Sequence, residues 1–184
     1  MTETIAVICT ANQCRSPAGE GFLRRQAINH GAEATIVSAG FLDGGMPSPP
    51  EVTAAAERLG LDITDHVSRQ IDRALIDDAD LIITMTRRHL RDIAVDFNGS
   101  WPKTFTLREL VRRASDVGAR GDGVPIDEWV ALVHAGRTPA DLVGEDPDDD
   151  VEDPTGGTEG EFNEMAETVY GLMHQLADIL WATI

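Results

Sequence analysis

Residues 5–17 read Ile5-Ala6-Val7-Ile8-Cys9-Thr10-Ala11-Asn12-Gln13-Cys14-Arg15-Ser16-Pro17, an apolar run followed by a polar loop and a helix start. The run at 5–8 is short and rich in β-branched residues, which is typical of a strand buried on both faces. Ser16 and Pro17 form a helix-entry signal, because serine can cap free amides and proline has no amide hydrogen to lose. The stretch therefore predicts Cys9 at the carboxyl end of a strand, facing a helix amino terminus that stabilises a thiolate and a bound anion.

The rest of the chain repeats this alternation of apolar runs and helical patterns. Further strands are expected at residues 34–38, 80–85 and 102–106. Helices are expected at residues 17–30, 49–59, 87–97, 107–114, 126–135 and 159–180, with a short helical turn at 71–76. This order predicts an α/β fold: an open four-stranded parallel sheet flanked by helices on both faces, a flavodoxin-like three-layer α/β/α arrangement. Ligands of such sheets bind beyond the carboxyl ends of the strands.

Three later helices carry recognisable capping signals. Ser48-Pro49-Pro50-Glu51 and Thr158-Glu159-Gly160-Glu161 both have the spacing of a capping box. Thr86 directly follows the third predicted strand and can cap the helix after it. We therefore expect helices to begin close to each of these residues.

Composition limits the classes of partner. The length of 184 residues fits a single domain over residues 1–184. A net charge of −17, from 32 acidic and 15 basic residues, argues against binding nucleic acid or an anionic membrane. The sequence shows neither a signal peptide nor an apolar segment of about 18 residues, so cytoplasmic residence is expected. Residues 141–164 hold 11 acidic residues and no basic one, and we expect most of this run to be solvated surface.

Cys9 and Arg15 stand in a C-x5-R-S pattern that suits phosphoryl transfer through a cysteine. The loop residues can surround a tetrahedral oxyanion with backbone N–H groups, while the guanidinium binds two of its oxygens. The predicted phosphate-binding loop comprises Thr10, Ala11, Asn12, Gln13, Cys14, Arg15 and Ser16. The Cys9 thiolate would attack phosphorus and form a phosphocysteine. Because amides and arginine already balance the charge, neither a metal nor another cofactor is expected, and the histidines form no ligand motif.

A leaving oxygen needs a proton, and two Asp-Pro pairs are candidates for supplying it. Asp153 is followed by Pro154 and two glycines and precedes the last helix, so its loop is anchored yet free to approach the site. Asp146, before Pro147, lies deeper in the acidic run. We favour Asp153 as the general acid.

The sequence resembles the low-molecular-weight protein tyrosine phosphatases over nearly its whole length. The loop at 7–17, Ser38-Ala39-Gly40, residues 65–70, residues 82–92 and Asp153-Pro154 match the family in order. The resemblance implies a protein-tyrosine-phosphatase-like phosphomonoesterase, with a phosphorylated protein carrying phosphotyrosine, or a small phosphoester, as substrate. It implies Cys9 as nucleophile, Arg15 as phosphate clamp and Ser16 as a hydroxyl that stabilises the thiolate. It also implies Asp153 as the acid and then the base for water. It also implies that Asn12, Ser38 and His66 brace the loop.

The chain departs from the family in several places. Thr155-Gly156-Gly157 follows the Asp-Pro pair where eukaryotic members have tyrosines, and Thr10 and Gln13 replace residues that are often apolar. Phosphotyrosine preference is therefore open. The span before Asp153 is also longer than its usual counterpart, which predicts an acidic extension at about 115–152, either a passive insert or a lid or partner surface.

Two other functions and one regulatory role fit the same loop. One is arsenate reduction with an external low-molecular-weight thiol, since the distal cysteine pair of disulfide-relay reductases is absent. The other is a non-catalytic module that binds phosphate or phosphoproteins. Cys14 is either a packing residue or a redox partner that protects Cys9 through a reversible disulfide.

Overall fold

The computed structural model describes residues 2–144 and 146–182, and a parallel sheet runs through them. Four strands are present in this part of the chain: β1 (Glu3–Cys9), β2 (Ala34–Gly40), β3 (Leu81–Thr84) and β4 (Thr104–Thr106). Their order is β2-β1-β3-β4, and every pairing is parallel. The sheet is the one that the sequence predicts. The last five residues of β1 are buried, because this strand lies between β2 and β3 with helices on both faces.

Helices connect the strands. The α-helices of the described residues are α1 (Arg15–Asn29), α2 (Pro50–Arg58), α3 (Arg73–Asp78), α4 (Arg87–Asp96), α5 (Leu107–Val117), α6 (Ile126–His134) and α7 (Glu159–Trp181). Short 3-10 turns occupy Trp101–Lys103, Pro139–Leu142 and Pro147–Asp149. None of the helices described here is both long enough and apolar enough to span a bilayer.

A separate apolar layer lies on each face of the sheet. Ile5 and Val7 point to the larger layer, which α1, α2, α5, α6 and α7 complete. Ala6 and Ile8 point to the smaller one, which α3 and α4 cover. This alternation is the period of two that a strand imposes, and it confirms the three-layer α/β/α arrangement. The long helix α7 packs against α1, α2 and α5 within the larger layer.

Two predicted caps are wrong. Helix α1 begins at Arg15 with Cys14 at its N-cap position, and no side chain caps it, because the Ser16 hydroxyl is engaged with Cys9 and Asn12 instead. The Ser48 capping box does not form either, since α2 begins at Pro50 and places Pro49 at the N-cap. The other two signals are confirmed: the Thr86 hydroxyl accepts from the His89 N–H at 3.2 Å, and Thr158 forms the predicted box with Glu161.

The segment at 115–152 contains the end of α5, helix α6 and two 3-10 turns. Most acidic side chains of the run at 141–164 are exposed, as expected. Asp149 is the exception: its side chain is buried and paired with two arginines. A charge run in the sequence does not reveal such a residue, because the arginines lie on α4 and α5.

Candidate active site

Cys9 ends the central strand, and the loop that follows turns directly into α1. The thiol is buried, and its Sγ lies 3.0 Å from the Ser16 Oγ, in the first turn of that helix. The Asn12 Nδ2 donates to the same Ser16 oxygen at 2.9 Å. The Ser16 Oγ also lies 3.4 Å from the Ala39 carbonyl oxygen, and because the contact with Cys9 is shorter, the hydroxyl hydrogen can point at the cysteine sulfur. The arrangement gives a thiolate at Cys9 one hydroxyl donor and the amino end of a helix.

Asn12 holds the middle of the loop in an unusual backbone conformation. Its φ of 53° is the only positive value at a non-glycine residue in the described chain. The side chain also donates to the Ser38 Oγ at 2.8 Å and accepts from the Arg69 N–H at 2.8 Å. The Asn12 carbonyl accepts from the His66 Nε2 at 2.7 Å. The structure thus brings together Asn12, Ser38 and His66, the three residues expected to brace the loop.

Gly40, the last residue of β2, lies directly behind the loop. A Cβ at this position would lie 2.6 Å from the Asn12 amide nitrogen and 2.7 Å from the Thr10 carbonyl oxygen. The next residue, Phe41, donates its N–H to that same carbonyl at 2.7 Å. The loop therefore packs directly against the backbone of Gly40, and only glycine leaves room for this contact.

Arg15 is buried beneath the opening of the loop. Its Nη1 donates to the Val151 carbonyl at 3.0 Å, and its Nη2 donates to the Thr10 Oγ1 at 3.3 Å. The same Nη2 forms an ion pair with the Asp153 Oδ2. Contacts with protein oxygens on both nitrogens fix the plane of the guanidinium before any anion binds.

Asp153 meets Arg15 from a loop 138 positions further along the chain. Its second oxygen, Oδ1, accepts from the Thr155 N–H at 3.1 Å and the Thr155 hydroxyl at 2.7 Å. The side chain is 42% exposed, so solvent can reach it. Asp146 has a different place: it accepts from the Asp148 N–H at the start of a 3-10 turn. Of the two candidate acids, the structure places Asp153 beside Cys9 and Arg15.

These groups surround a cavity of about 330 Å³ over Cys9. Its lining consists of Cys9, Thr10, Ala11, Gln13, Cys14, Arg15, Leu42, Asp153 and Thr155. No aromatic side chain is part of that lining, as the departures in the sequence suggested. Among the described residues, no group of three or more His, Cys, Asp or Glu side chains is placed to hold a metal ion.

Cys14 also faces this cavity. Both thiols are free, and burial raises the pKa of Cys14 to about 11. Cys14 is therefore a neutral thiol at ordinary pH. The redox pairing of Cys14 with Cys9 stays a prediction.

Sequence reasoning missed His89. This buried residue of α4 lies with its Nε2 2.9 Å from the Thr10 Oγ1, and its ring stacks on Phe41 with centroids 5.6 Å apart. Burial, and secondarily the Arg15 charge, lower its pKa to about 3. The one available signal was its position just after β3, since residues at the carboxyl edge of a parallel sheet gather around the site.

The parallel sheet and the anion-binding loop over a cysteine define a class of enzyme in which a thiolate attacks the central atom of a bound tetrahedral oxyanion. A family model described as "Low molecular weight phosphotyrosine protein phosphatase" matches residues 4–119. The chain belongs to this family and is a cysteine-dependent phosphatase, as the sequence predicts.

Similar proteins differ in their stated activities. A protein-arginine-phosphatase of Bacillus subtilis (strain 168) is 35% identical over 121 residues, which are 64% of this chain and 75% of that protein. An arsenate reductase of Halalkalibacterium halodurans is 30% identical over 130 residues, which are 71% and 84% of the two chains. The solved structure of a low molecular weight protein tyrosine phosphatase from T. tengcongensis superposes with a TM-score of 0.72 at 25% identity, covering 97% of this chain and 100% of that one.

Proposed function

We propose that this chain hydrolyses phosphoryl groups carried by protein side chains, phosphotyrosine among them, with Cys9 as the nucleophile. The observation that carries the proposal is the convergence of Cys9 and Arg15, from one loop, with Asp153, from a distant part of the chain, on one cavity. A thiolate, a cationic fork and a carboxyl group are the three groups that metal-free phosphoryl transfer needs.

In the first step the Cys9 sulfur attacks phosphorus and breaks the bond to the leaving atom, which is an oxygen in phosphotyrosine and a nitrogen in phosphoarginine. Ser16 donates its hydroxyl hydrogen to the thiolate, because Asn12 already fills one acceptor position of that hydroxyl. Arg15 and the loop amides bind the non-bridging oxygens, whose negative charge spreads in the transition state. The product of this step is a phosphocysteine.

Asp153 supplies the proton that the leaving atom takes up. Because Thr155 binds Oδ1, the other oxygen is the one that faces the cavity and carries the proton. In the second step the resulting carboxylate accepts a proton from the water that attacks the phosphocysteine, which releases phosphate and restores the thiolate and the protonated acid. When substrate binds, its phosphoryl oxygens replace Asp153 at the Arg15 Nη2.

The cavity can admit a phosphorylated side chain, but its lining has no aromatic residues that could stack on an aryl ring. Gln13 and Thr155 offer polar groups, and Leu42 offers an exposed apolar surface at the rim. Phosphotyrosine and phosphoarginine peptides are thus the two substrates to compare. The thiolate chemistry requires a reducing compartment such as the cytoplasm. We also propose that residues 1–184 act as one phosphatase domain, with 115–152 as an acidic extension.

The test is hydrolysis of phosphopeptides by the wild-type chain and by Cys9→Ser in the presence of a metal chelator. We expect the wild type to release phosphate and to yield a protein phosphorylated on Cys9 when the reaction is quenched rapidly by denaturation, whereas Cys9→Ser forms no phosphocysteine and turns over at background. Persistent turnover in Cys9→Ser contradicts the proposal. Arsenite formation with a small thiol, together with no hydrolysis of any phosphopeptide, would assign the site to arsenate reduction instead.

A further inference from the structure

A buried carboxylate lies four residues before Asp153. The side chain of Asp149 is only 2% exposed, although it belongs to the acidic run. Its Oδ2 accepts from the Arg87 Nη1 at 3.0 Å, and its Oδ1 accepts from the Arg112 Nη1 at 2.6 Å. A carboxylate so deeply buried is stable only when it is paired, and the two arginines supply that pairing.

The two arginines come from different helices, which makes this ion cluster a cross-link. Arg87 is the first residue of α4, and Arg112 lies in the middle of α5. Asp149 therefore ties its own segment to two elements that flank the sheet. An exposed ion pair on one helix has no comparable reach and contributes little.

The two residues after Asp149 continue the attachment. The Asp150 Oδ1 accepts from the Arg87 N–H at 2.7 Å, at the positive end of α4, and the Asp150 carbonyl accepts from the Arg108 Nε at 3.0 Å. Val151 donates its N–H to the Met85 carbonyl, just beyond β3, at 2.8 Å. Three consecutive residues are thus bound to the sheet edge and its helices, and Asp153 follows two positions later.

On its other side, Asp153 leads into a turn in which the Gly157 N–H donates to the Pro154 carbonyl at 2.8 Å. Gly156 and Gly157 separate it from α7, and Gly156 has a φ of 81°. The direct contact of Asp153 with Arg15 cannot hold the carboxyl group during the reaction, because Arg15 then binds phosphoryl oxygens. The attachment through residues 149–151 does not involve the Nη2 of Arg15 and therefore remains when substrate is bound.

We propose that Asp149, clamped by Arg87 and Arg112, is a positioning residue that fixes Asp153 over the cavity during proton transfer. The inference rests on the proposed role of Asp153 as general acid. A general acid must lie within hydrogen-bond reach of the leaving atom, and a displacement of about 1 Å costs about 100-fold in rate. Asp149 itself does not contact the substrate.

A comparison of two leaving groups distinguishes a misplaced general acid from a general loss of active-site structure. A strongly basic leaving group, as in phenyl phosphate, needs the proton, whereas a weakly basic one, as in 2,4-dinitrophenyl phosphate, departs without it. The value of kcat/KM reports the steps up to that departure. For Asp149→Asn we expect kcat/KM to fall by about 10- to 100-fold with phenyl phosphate and by less than about threefold with 2,4-dinitrophenyl phosphate.

Asp148→Asn is the matched control, because it removes the same charge from the exposed neighbouring residue. It should leave both rates unchanged. Asp153→Asn in the same assay separates the two proposals. If Asp153→Asn shows no selective loss with phenyl phosphate, Asp153 is not the general acid. If Asp153→Asn shows that selective loss, but Asp149→Asn lowers both rates equally or changes neither, the positioning role of Asp149 is wrong.

Should Asp149→Asn fail to fold, Arg112→Gln decides the question. This arginine side chain is 55% exposed and contributes one of the two bonds to Asp149, so its loss is milder. We expect the same selective loss with phenyl phosphate, of about threefold to 10-fold. Equal loss with both substrates, or no loss at all, overturns the inference.

Discussion

His89 occupies a place in the site where a charged histidine would be costly. Its ring is buried against Phe41, its Nε2 contacts Thr10, and the Arg15 guanidinium is close enough to disfavour a second positive charge. With a pKa of about 3, His89 stays neutral at every pH at which a phosphatase works. It therefore orients the Thr10 hydroxyl beside Arg15 and takes no part in proton transfer.

The depressed pKa of His89 predicts a loss of stability in acid. An unfolded histidine titrates near 6.5, so between about pH 6.5 and 3 the unfolded chain binds one proton more than the folded chain. The stability that the neutral, buried His89 ring contributes is fully present above about pH 6.5 and is lost as the pH falls from there towards 3. Between pH 7 and 5 the free energy of unfolding of the wild type should fall by about 2 kcal/mol more than that of His89→Gln. Urea unfolding at both pH values measures the difference, and equal losses would contradict the prediction.

At the scale of the element, the end of β2 sets the position of the phosphate loop. Gly40→Ala would place a methyl group 2.6 Å from the Asn12 amide nitrogen, and backbone on both sides prevents relief by a side-chain rotation. We expect the free energy of unfolding to fall by about 1–3 kcal/mol and kcat/KM to fall with it, because the loop must move away from Cys9. Denaturant unfolding and steady-state kinetics measure the two effects.

Gly171→Ala in α7 provides the matched control. A Cβ there meets no atom within 4 Å, and the residue is helical. This substitution should raise the free energy of unfolding by about 0.4–1 kcal/mol without changing kcat/KM. Similar destabilisation by both substitutions would show that the close approach at Gly40 is unimportant.

How far the sequence predicts the molecule depends on the range of each interaction. Strands and helices follow from local periodicity, and Thr86 and Thr158 cap their helices because their partners lie three residues away. Ser16 looked like a similar cap, but its hydroxyl has a better partner in Cys9, which the tertiary fold places beside it. His89 and Asp149 were not predicted, because their partners are 79 and 37 or more positions away along the chain.

At the scale of the whole molecule, the net charge of −17 opposes the approach of an anionic substrate. The favourable field is local, since it comes from Arg15 and the amino end of α1 at the bottom of the cavity. A phosphopeptide with basic residues beside the phosphorylated one gains attraction from the surface, while one with acidic residues meets repulsion before it reaches the loop. Substrate choice should therefore depend on peptide charge even where the phosphoryl group is the same.

The preference for phosphopeptides with basic flanking residues should be strong in low salt and disappear in high salt. Two phosphotyrosine peptides of equal length, one with basic and one with acidic flanking residues, should differ in kcat/KM by about 10-fold or more at low ionic strength. Because the Debye length shrinks from about 30 Å at 0.01 M to about 3 Å at 1 M salt, the ratio should approach one as salt is added. A ratio that does not change with salt would show that direct contacts at the rim, such as those available at Gln13 and Leu42, select the peptide instead of the field of the whole protein.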